Sequence, residues 1–378
     1  MKICYIASSN IPSREANSIQ VMRMCEAFEN NGLSVKLLIP HLTTQDERVS
    51  NLWEYYGIIK KFSIVHIPYP LPFSKKKFKE KYFGLWSSLY SKLLKPDFVY
   101  TRLLWAVNWC LKFGIPVVFE AHKFHQYKRS LAFPYFRKNF SSSNLLGIVV
   151  VSCYLEESYK KEGFPHEKIF MAPNGVDLKK FRMEISKHQI RKELRLPLRR
   201  KIITYSGHLN KTKGIDTILN CAFLMEDCLF LIVGGWDKDV KERKREVRNR
   251  GLKNVLFTGF VPPSQVNYYL IASDVLILPY TIESTKEHLC PLKLFEYMAS
   301  ERPIVASDIP TIKEILRDGK NAKLVKPDSP LALKEGIEKV LKDKNLSRKI
   351  SKQARIDVEE YSWERRAQKI INFIKGKL

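Results

Sequence analysis

The sequence predicts an α/β protein built from two doubly wound, Rossmann-like domains. Three observations point there. Short apolar runs rich in Val, Ile and Leu alternate with amphipathic helical patterns along the chain, as in parallel strands covered on both faces. The series restarts at "KIITYSG" (201–207), after the turn-rich "PNGVDLKKF" (173–181). The length of 378 residues suits two domains.

In order, "KICYIA" reads as a first strand, and "SIQVMRMCEAFENNG" as an amphipathic helix closed by Gly32. The strands "SVKLLIP", "DFVYT", "IPVVFEA", "LGIVVVS" and "KIFMAPNGV" follow. The basic stretch "RMEISKHQIRKELRLPLRRK" reads as a linker with a short helix. A second set of six strands then runs "KIITYSG", "LFLIVGG", "NVLFTGF", "DVLILPY", "RPIVASD" and "NAKLVKP", each followed by a helix signal. No strand follows "NLSRKISKQARIDVEEYSWERRAQKIINFIKGKL", so these last helices are expected to pack back across the domains. The expected boundaries are 1–182 for a first domain, 183–360 for a second and 361–378 for a helix crossing back to the first. The domains are expected to face each other across a cleft, with ligands beyond the carboxyl ends of the strands.

Hydrophobic residues make up 45% and aromatics 12%, enough for two cores. Seven scattered cysteines without CxxC spacing argue against a disulfide framework or zinc site and for a reducing compartment. The apolar part of "MKICYIASSN" is too short for a signal peptide, and "NLLGIVVVSCYL" is too short to span a membrane. A cytoplasmic protein is expected. The net charge of +26 suits nucleic acid, an anionic membrane or anionic small substrates. No zinc finger, RNA-binding signature or helix-turn-helix is present, so nucleic acid is not an expected partner. The cluster "SKKKFKEKYFGLW" interleaves Lys75, Lys76, Lys77, Lys79 and Lys81 with Phe78, Tyr82, Phe83 and Trp86, with Phe73 just before it. Cations beside aromatics suit an anionic headgroup region, so Lys75–Trp86 is a candidate membrane contact. The helix in "KDVKERKREVRNR" mixes both signs and reads as solvent-exposed.

The candidate site residues sit just after the second set of strands. In "YSGHLNKTKGID", Gly207 permits close backbone approach, and Lys213 with Gly214 opens a helix, a combination suited to an anion. The GxxxxGK[ST] spacing is absent, so nucleotide cleavage of that kind is not expected. Gly234 and Gly235 mark a tight turn or a ligand passing close to the backbone. Gly259, Phe260 and Val261 offer a slot for a flat base. In "CPLKLFEYMAS" (290–300), Pro291 starts a helix. The N–H groups of Leu292, Lys293 and Leu294 then face a diphosphate, and Glu296 accepts hydrogen bonds from a ribose diol.

Taken together, "YSGHLNKTKGID", "LIVGG", "NVLFTGFVP", "SDVLILPY", "PLKLFEYMASERPIVASDIPTIKEIL" and "PNGVDLKKF" resemble the family 4 retaining glycosyltransferases, over nearly the whole chain. The resemblance implies the GT-B fold of two facing Rossmann-like domains. It implies that Glu296 binds the nucleotide ribose, that Lys213 contacts the donor diphosphate, and that Phe260 and Val261 pack the base. It implies that Leu292, Lys293 and Leu294 cradle phosphate, and that His122, in "VVFEAHKF", lies near the transferred sugar. Two positions depart from the family pattern. His288, next to Glu287, stands where a first glutamate is common, and His208 stands where an arginine is common, leaving His208 or Lys211 to supply charge.

The expected activity is transfer of a hexose from a nucleotide diphosphate sugar, UDP- or GDP-linked, to a glycan or lipid-linked acceptor in cell-surface polysaccharide or glycolipid synthesis. Lysines and helix N–H groups would stabilise the departing diphosphate. No DxD motif follows a strand, so no metal or other cofactor is expected. Retention, by front-face attack, is implied by the resemblance. "SSNIPSREANSIQ" is the expected acceptor loop, with Asn10, Arg14 and Asn17 as candidates. Alternatives are a non-catalytic nucleotide-sugar or glycan-binding relative, and a nucleotide-sugar epimerase or hydrolase.

Overall fold

The computed structural model describes residues 1–41, 49–68, 76–182, 184–287 and 290–378. The chain divides into two compact units: Met1–Asn174 with Trp363–Leu378, and Gly175–Ser362.

The first unit holds a parallel sheet of β1 (Lys2–Ile6), β2 (Ser34–Pro40), β3 (Ser63–Ile67), β4 (Phe98–Thr101), β5 (Val117–Ala121), β6 (Leu145–Val150) and β7 (Ile169–Met171). Its order is β3-β2-β1-β4-β5-β6-β7. Every residue of β4, β5 and β6 is buried, which is why they read as unbroken apolar runs. β3 escapes a sequence reading for the opposite reason. It is an edge strand in which only Ile67 is buried, so it carries little apolar signal.

The second unit holds β8 (Lys201–Ser206), β9 (Cys228–Val233), β10 (Val255–Gly259), β11 (Val275–Leu278), β12 (Ile304–Ser307) and β13 (Lys323–Val325). Their order is β10-β9-β8-β11-β12-β13, the 3-2-1-4-5-6 winding of dinucleotide-binding sheets. The winding reverses between β8 and β11, so the crevice at their carboxyl ends is the place where such a sheet binds ligands. The stretch read as a linker belongs to this unit. Its helix Lys187–Glu193 is held by Asp274, which accepts from Lys187 Nζ (2.7 Å), Arg191 Nη2 (2.7 Å) and the Ile202 N–H (2.8 Å).

The first unit ends at Asn174 and not at 182. The Val176 N–H donates to Tyr361 O (2.9 Å), and Leu178 is buried with Leu270, Leu276 and Phe295. The turn therefore packs with the second sheet. The last helix, Trp363–Lys375, returns to the first unit. Its stripe of Trp363, Ala367, Ile370, Ile371 and Ile374 is buried, Phe373 stacks on Phe170 (4.9 Å), and Asn31 Nδ2 donates to Glu364 O (3.0 Å). Helix Lys344–Asp357 stays with the second unit.

Candidate functional site

In the second unit, the predicted residues converge on the β8–β11 crevice. The chain leaves β8 at Gly207, whose φ of 124° disfavours any side chain, and a Cβ there would overlap Lys293 Nζ. Lys293 is the second residue of helix Leu292–Ala299, which starts after an extended Pro291 (φ −75°, ψ 131°). Tyr297 of that helix fixes it to the strand end, since its hydroxyl accepts from the Ser206 N–H (2.7 Å). Lys213 reaches the same place by another route. Gly214 takes a left-handed φ of 75°, with the Pro279 carbonyl where a Cβ would stand. The Thr281 N–H donates to Thr212 O (3.3 Å), which lays this turn against the end of β11.

The result is a pair of lysines around buried tyrosine rings. Lys293 Nζ lies 4.0 Å from the Tyr205 ring centroid and 5.8 Å from that of Tyr280, while Lys213 Nζ lies 4.9 Å from the Tyr280 centroid. Lys293 Nζ is buried and has no hydrogen-bond partner among the described residues. Burial holds this amine well below the ordinary lysine range, the Lys213 charge pushes the same way, and Glu296 opposes them. Glu296 is half-buried, one turn along the same helix. A buried donor with no acceptor costs folding free energy unless a ligand supplies one. The arrangement suits an anion with several oxygens.

The other predicted residues divide. The His208 ring stacks on Trp236 (5.7 Å, 16°), and its carbonyl accepts from the Tyr205 hydroxyl (2.6 Å). The Gly234 N–H donates to Gly259 O (2.9 Å), and Gly235 packs against Leu209. Phe260 is half-exposed, but Val261 is buried with Leu229, Leu231 and Ile271. The Val261 side chain thus serves the core, which corrects its expected part in a base slot. Leu294 is corrected too. Its side chain is buried and its N–H donates to Pro291 O (3.1 Å), leaving Leu292 and Lys293 as the first-turn N–H groups open to a ligand. His288 lies outside the described residues, as does the side chain of Glu287.

In the first unit, half-buried His122 follows β5 and meets a buried carboxylate. Glu120 Oε1 receives Gln20 Nε2 (2.5 Å) and Arg366 Nη2 (3.0 Å) and lies 2.6 Å from His122 Nε2, and Oε2 receives the Tyr100 hydroxyl (2.5 Å). Burial alone would raise the Glu120 pKa, but Arg366 first, then His122 and Arg102, hold it well below the usual carboxylate range. The His122 pKa is lowered to about 4, by burial first and then by Arg102, against the pull of Glu120. Among the acceptor candidates, Asn17 Oδ1 accepts from Arg102 Nη1 (2.6 Å), Asn10 is exposed, and Arg14 is half-buried.

Tyr205, Tyr280, Glu120 and Arg366 were missed by sequence reasoning. The last two did leave a signal. Glu120 interrupts the apolar run "VVFEA", and Arg366 falls on the apolar stripe of its helix at i, i+3, i+4 spacing. The basic cluster is corrected in part: Phe83 is buried, while Lys79, Lys81 and Trp86 are exposed. Phe73 and Lys75 lie outside the described residues, as do the side chains of Lys76, Lys77 and Phe78.

Comparison with known proteins agrees with this architecture. Residues 186–357 match the family model of glycosyl transferases group 1, and residues 18–180 match that of glycosyltransferase family 4. The chain is 27% identical over 261 residues to an alpha-galactosylglucosyldiacylglycerol synthase of Streptococcus pneumoniae, covering 63% of this chain and 68% of that protein. It is 31% identical over 209 residues to the putative teichuronic acid biosynthesis glycosyltransferase TuaC of Bacillus subtilis, covering 54% of this chain and about half (49%) of TuaC. The fold is similar to that of Anabaena Alr3699/HepE, solved in complex with UDP-glucose, with a TM-score of 0.76 at 16% identity over 100% of both chains. With residues 18–180 and 186–357 matched in this way, the chain belongs to glycosyltransferase family 4.

Proposed function

We propose that this chain moves a sugar from a nucleotide diphosphate sugar to a glycan or lipid-linked acceptor, with retention at the anomeric carbon and without a metal. The observation that carries this reading is the buried Lys293 Nζ, which has no hydrogen-bond partner among the described residues, beside Lys213 at the β8–β11 crevice. In the reaction the bond from the anomeric carbon to the diphosphate oxygen breaks, and the acceptor oxygen bonds to that carbon from the same face. The acceptor proton passes to the leaving phosphate oxygen. Negative charge grows on the diphosphate, where Lys213, Lys293 and the first-turn N–H groups of helix Leu292–Ala299 stabilise it. Glu296 accepts hydrogen bonds from the ribose hydroxyls.

UDP is the favoured carrier because the similarly folded Anabaena protein was solved with UDP-glucose. A membrane-borne acceptor suits the named product class of the Streptococcus relative, a glycosyldiacylglycerol. The first unit also carries a matching face. Exposed Lys81 lies over the Trp105 ring (5.3 Å), and Trp105 contacts exposed Tyr135 (6.2 Å). No helix among the described residues is long and apolar enough to cross a bilayer, so the proposed contact is peripheral, at the cytoplasmic membrane face.

The test is nucleotide release from a panel of UDP- and GDP-sugars in EDTA, with and without lipid extract. Release from one donor only, dependent on the extract and lost in Lys293→Met and Glu296→Ala, is expected. Release without extract would point to a hydrolase or epimerase, and tight nucleotide binding without release to a non-catalytic relative. Loss of release in EDTA, restored by a divalent cation, would overturn metal independence. Co-sedimentation with phosphatidylglycerol vesicles, weakened in Lys81→Glu, checks the membrane contact.

A further inference from the structure

We propose that Glu120 and Arg366 are positioning residues that hold His122 as a neutral imidazole with its proton on Nε2, so that the ring meets a ligand hydroxyl as an acceptor at Nδ1. The placement of a donor sugar or acceptor near His122 rests on the function proposed above. The state of the ring does not.

The argument starts from Glu120. Its side chain is fully buried, and an ionised carboxylate can only accept hydrogen bonds. Donors surround it. Gln20 comes from helix Ala16–Asn30, Tyr100 from β4 and Arg366 from the last helix. Arg366 is itself buried and further fixed by the carbonyls of Ala172 (3.2 Å to Nη2) and Pro173 (2.9 Å to Nε). A guanidinium this well held keeps Glu120 charged, and a charged Glu120 requires that His122 Nε2, at 2.6 Å, be the donor. The neutral ring then keeps its lone pair on Nδ1.

The same surroundings keep the ring from taking a second proton. Arg102, after β4, and Arg366 both raise the cost of a cation at His122, and Glu120 is the carboxylate among its charged neighbours. Tyr127, whose hydroxyl donates to Arg102 O, is a further titratable group beside it. The low His122 pKa agrees with this geometry. The consequence is a division of labour. Arg366 lies beyond the whole second unit in sequence, yet it sets the proton on a residue after β5. His122 therefore cannot serve as a general acid or as a cation for phosphate. It selects for ligand groups that donate, such as a sugar hydroxyl.

The test is ring nitrogen and proton NMR of the full chain with 15N-labelled histidine, His122→Asn assigning the resonance. The Nε2–H pattern, constant from pH 8 to about pH 5, is the expected result. An Nδ1–H pattern, or titration near the ordinary histidine value, would overturn the proposal. Two variants separate positioning from simple packing. Arg366→Met removes a positive charge and should raise the His122 midpoint by at least one unit, with Arg366→Lys restoring it. Glu120→Gln keeps the shape but loses the charge, and should abolish the pure Nε2–H pattern. A folded Glu120→Gln protein with an unchanged His122 spectrum would also sink the idea. These spectra need no substrate, so they stand or fall apart from the transferase assay.

Discussion

Glu120 and Lys293 are buried ionisable groups of opposite sign, one in each unit, and their surroundings differ in kind. Glu120 is met by Gln20, His122, Tyr100 and Arg366, so both carboxylate oxygens are satisfied. Lys293 has the faces of Tyr205 and Tyr280 and a second lysine nearby, and no acceptor among the described residues. A buried charge with its partners in place holds a structure rigid. A buried donor without one marks where a partner is to arrive. On the readings proposed above, the first arrangement orients a histidine and the second receives an anion.

The comparison breaks most visibly if Glu120 is removed. Glu120→Ala strands Arg366 and is expected to cost about 3–5 kcal/mol in urea unfolding. A loss under about 1 kcal/mol would mean that Arg366 finds water or another acceptor and that the network is not a scaffold. Lys293→Met should go the other way, leaving stability unchanged or raising it by about 1–3 kcal/mol because no paired charge is lost. The same substitution should weaken UDP binding by roughly 10–100-fold, the worth of one charge-assisted hydrogen bond, by calorimetry. If Lys293→Met destabilises as Glu120→Ala does, the distinction fails.

A finer test follows protons. The Lys293 amine sits well below its ordinary range in the free protein, and a diphosphate would raise it. UDP binding should therefore take up protons in the range where the free amine titrates, measured as a dependence of binding heat on buffer ionisation heat. Lys293→Met should lose that dependence, whereas Glu120, already charged and paired, should contribute none. The smallest effect is on stability against pH. His122 has a folded pKa of about 4 against an ordinary 6.5, so the unfolded chain binds more protons between these values. This contribution is fully present above pH 6.5 and is lost as pH falls toward 4. Thermal unfolding across that window should show a shallower slope in His122→Asn.

The legible parts of the sequence share one property. "VVFEA", "LGIVVVS" and "LFLIVGG" read as buried strands because both of their faces are covered, so their own residues carry the full signal. "PLKLFEYMAS" read as a helix with a proline start and a buried face for the same local reason. Edge strand β3 and the boundary at Asn174 were not legible. Few of β3's residues are buried, and the boundary depends on whether Val176 and Leu178 find partners some hundred or more residues away. Lys293 is legible for its first-turn N–H and for its charge beside phosphates. The burial of its amine between two tyrosines is not, because that is a fact of three separate segments.

Local pattern thus determined the strand and helix series, the doubly wound class and the neighbourhood of the site, since hydrophobic periodicity and strand-end glycines are properties of a few adjacent residues. Tertiary structure decided which charges are paired. Whether Arg366 meets Glu120, or Lys293 meets only tyrosine rings among the described residues, depends on segments brought together only by folding. Desolvation then gives each meeting its energy, and no window of sequence contains that term.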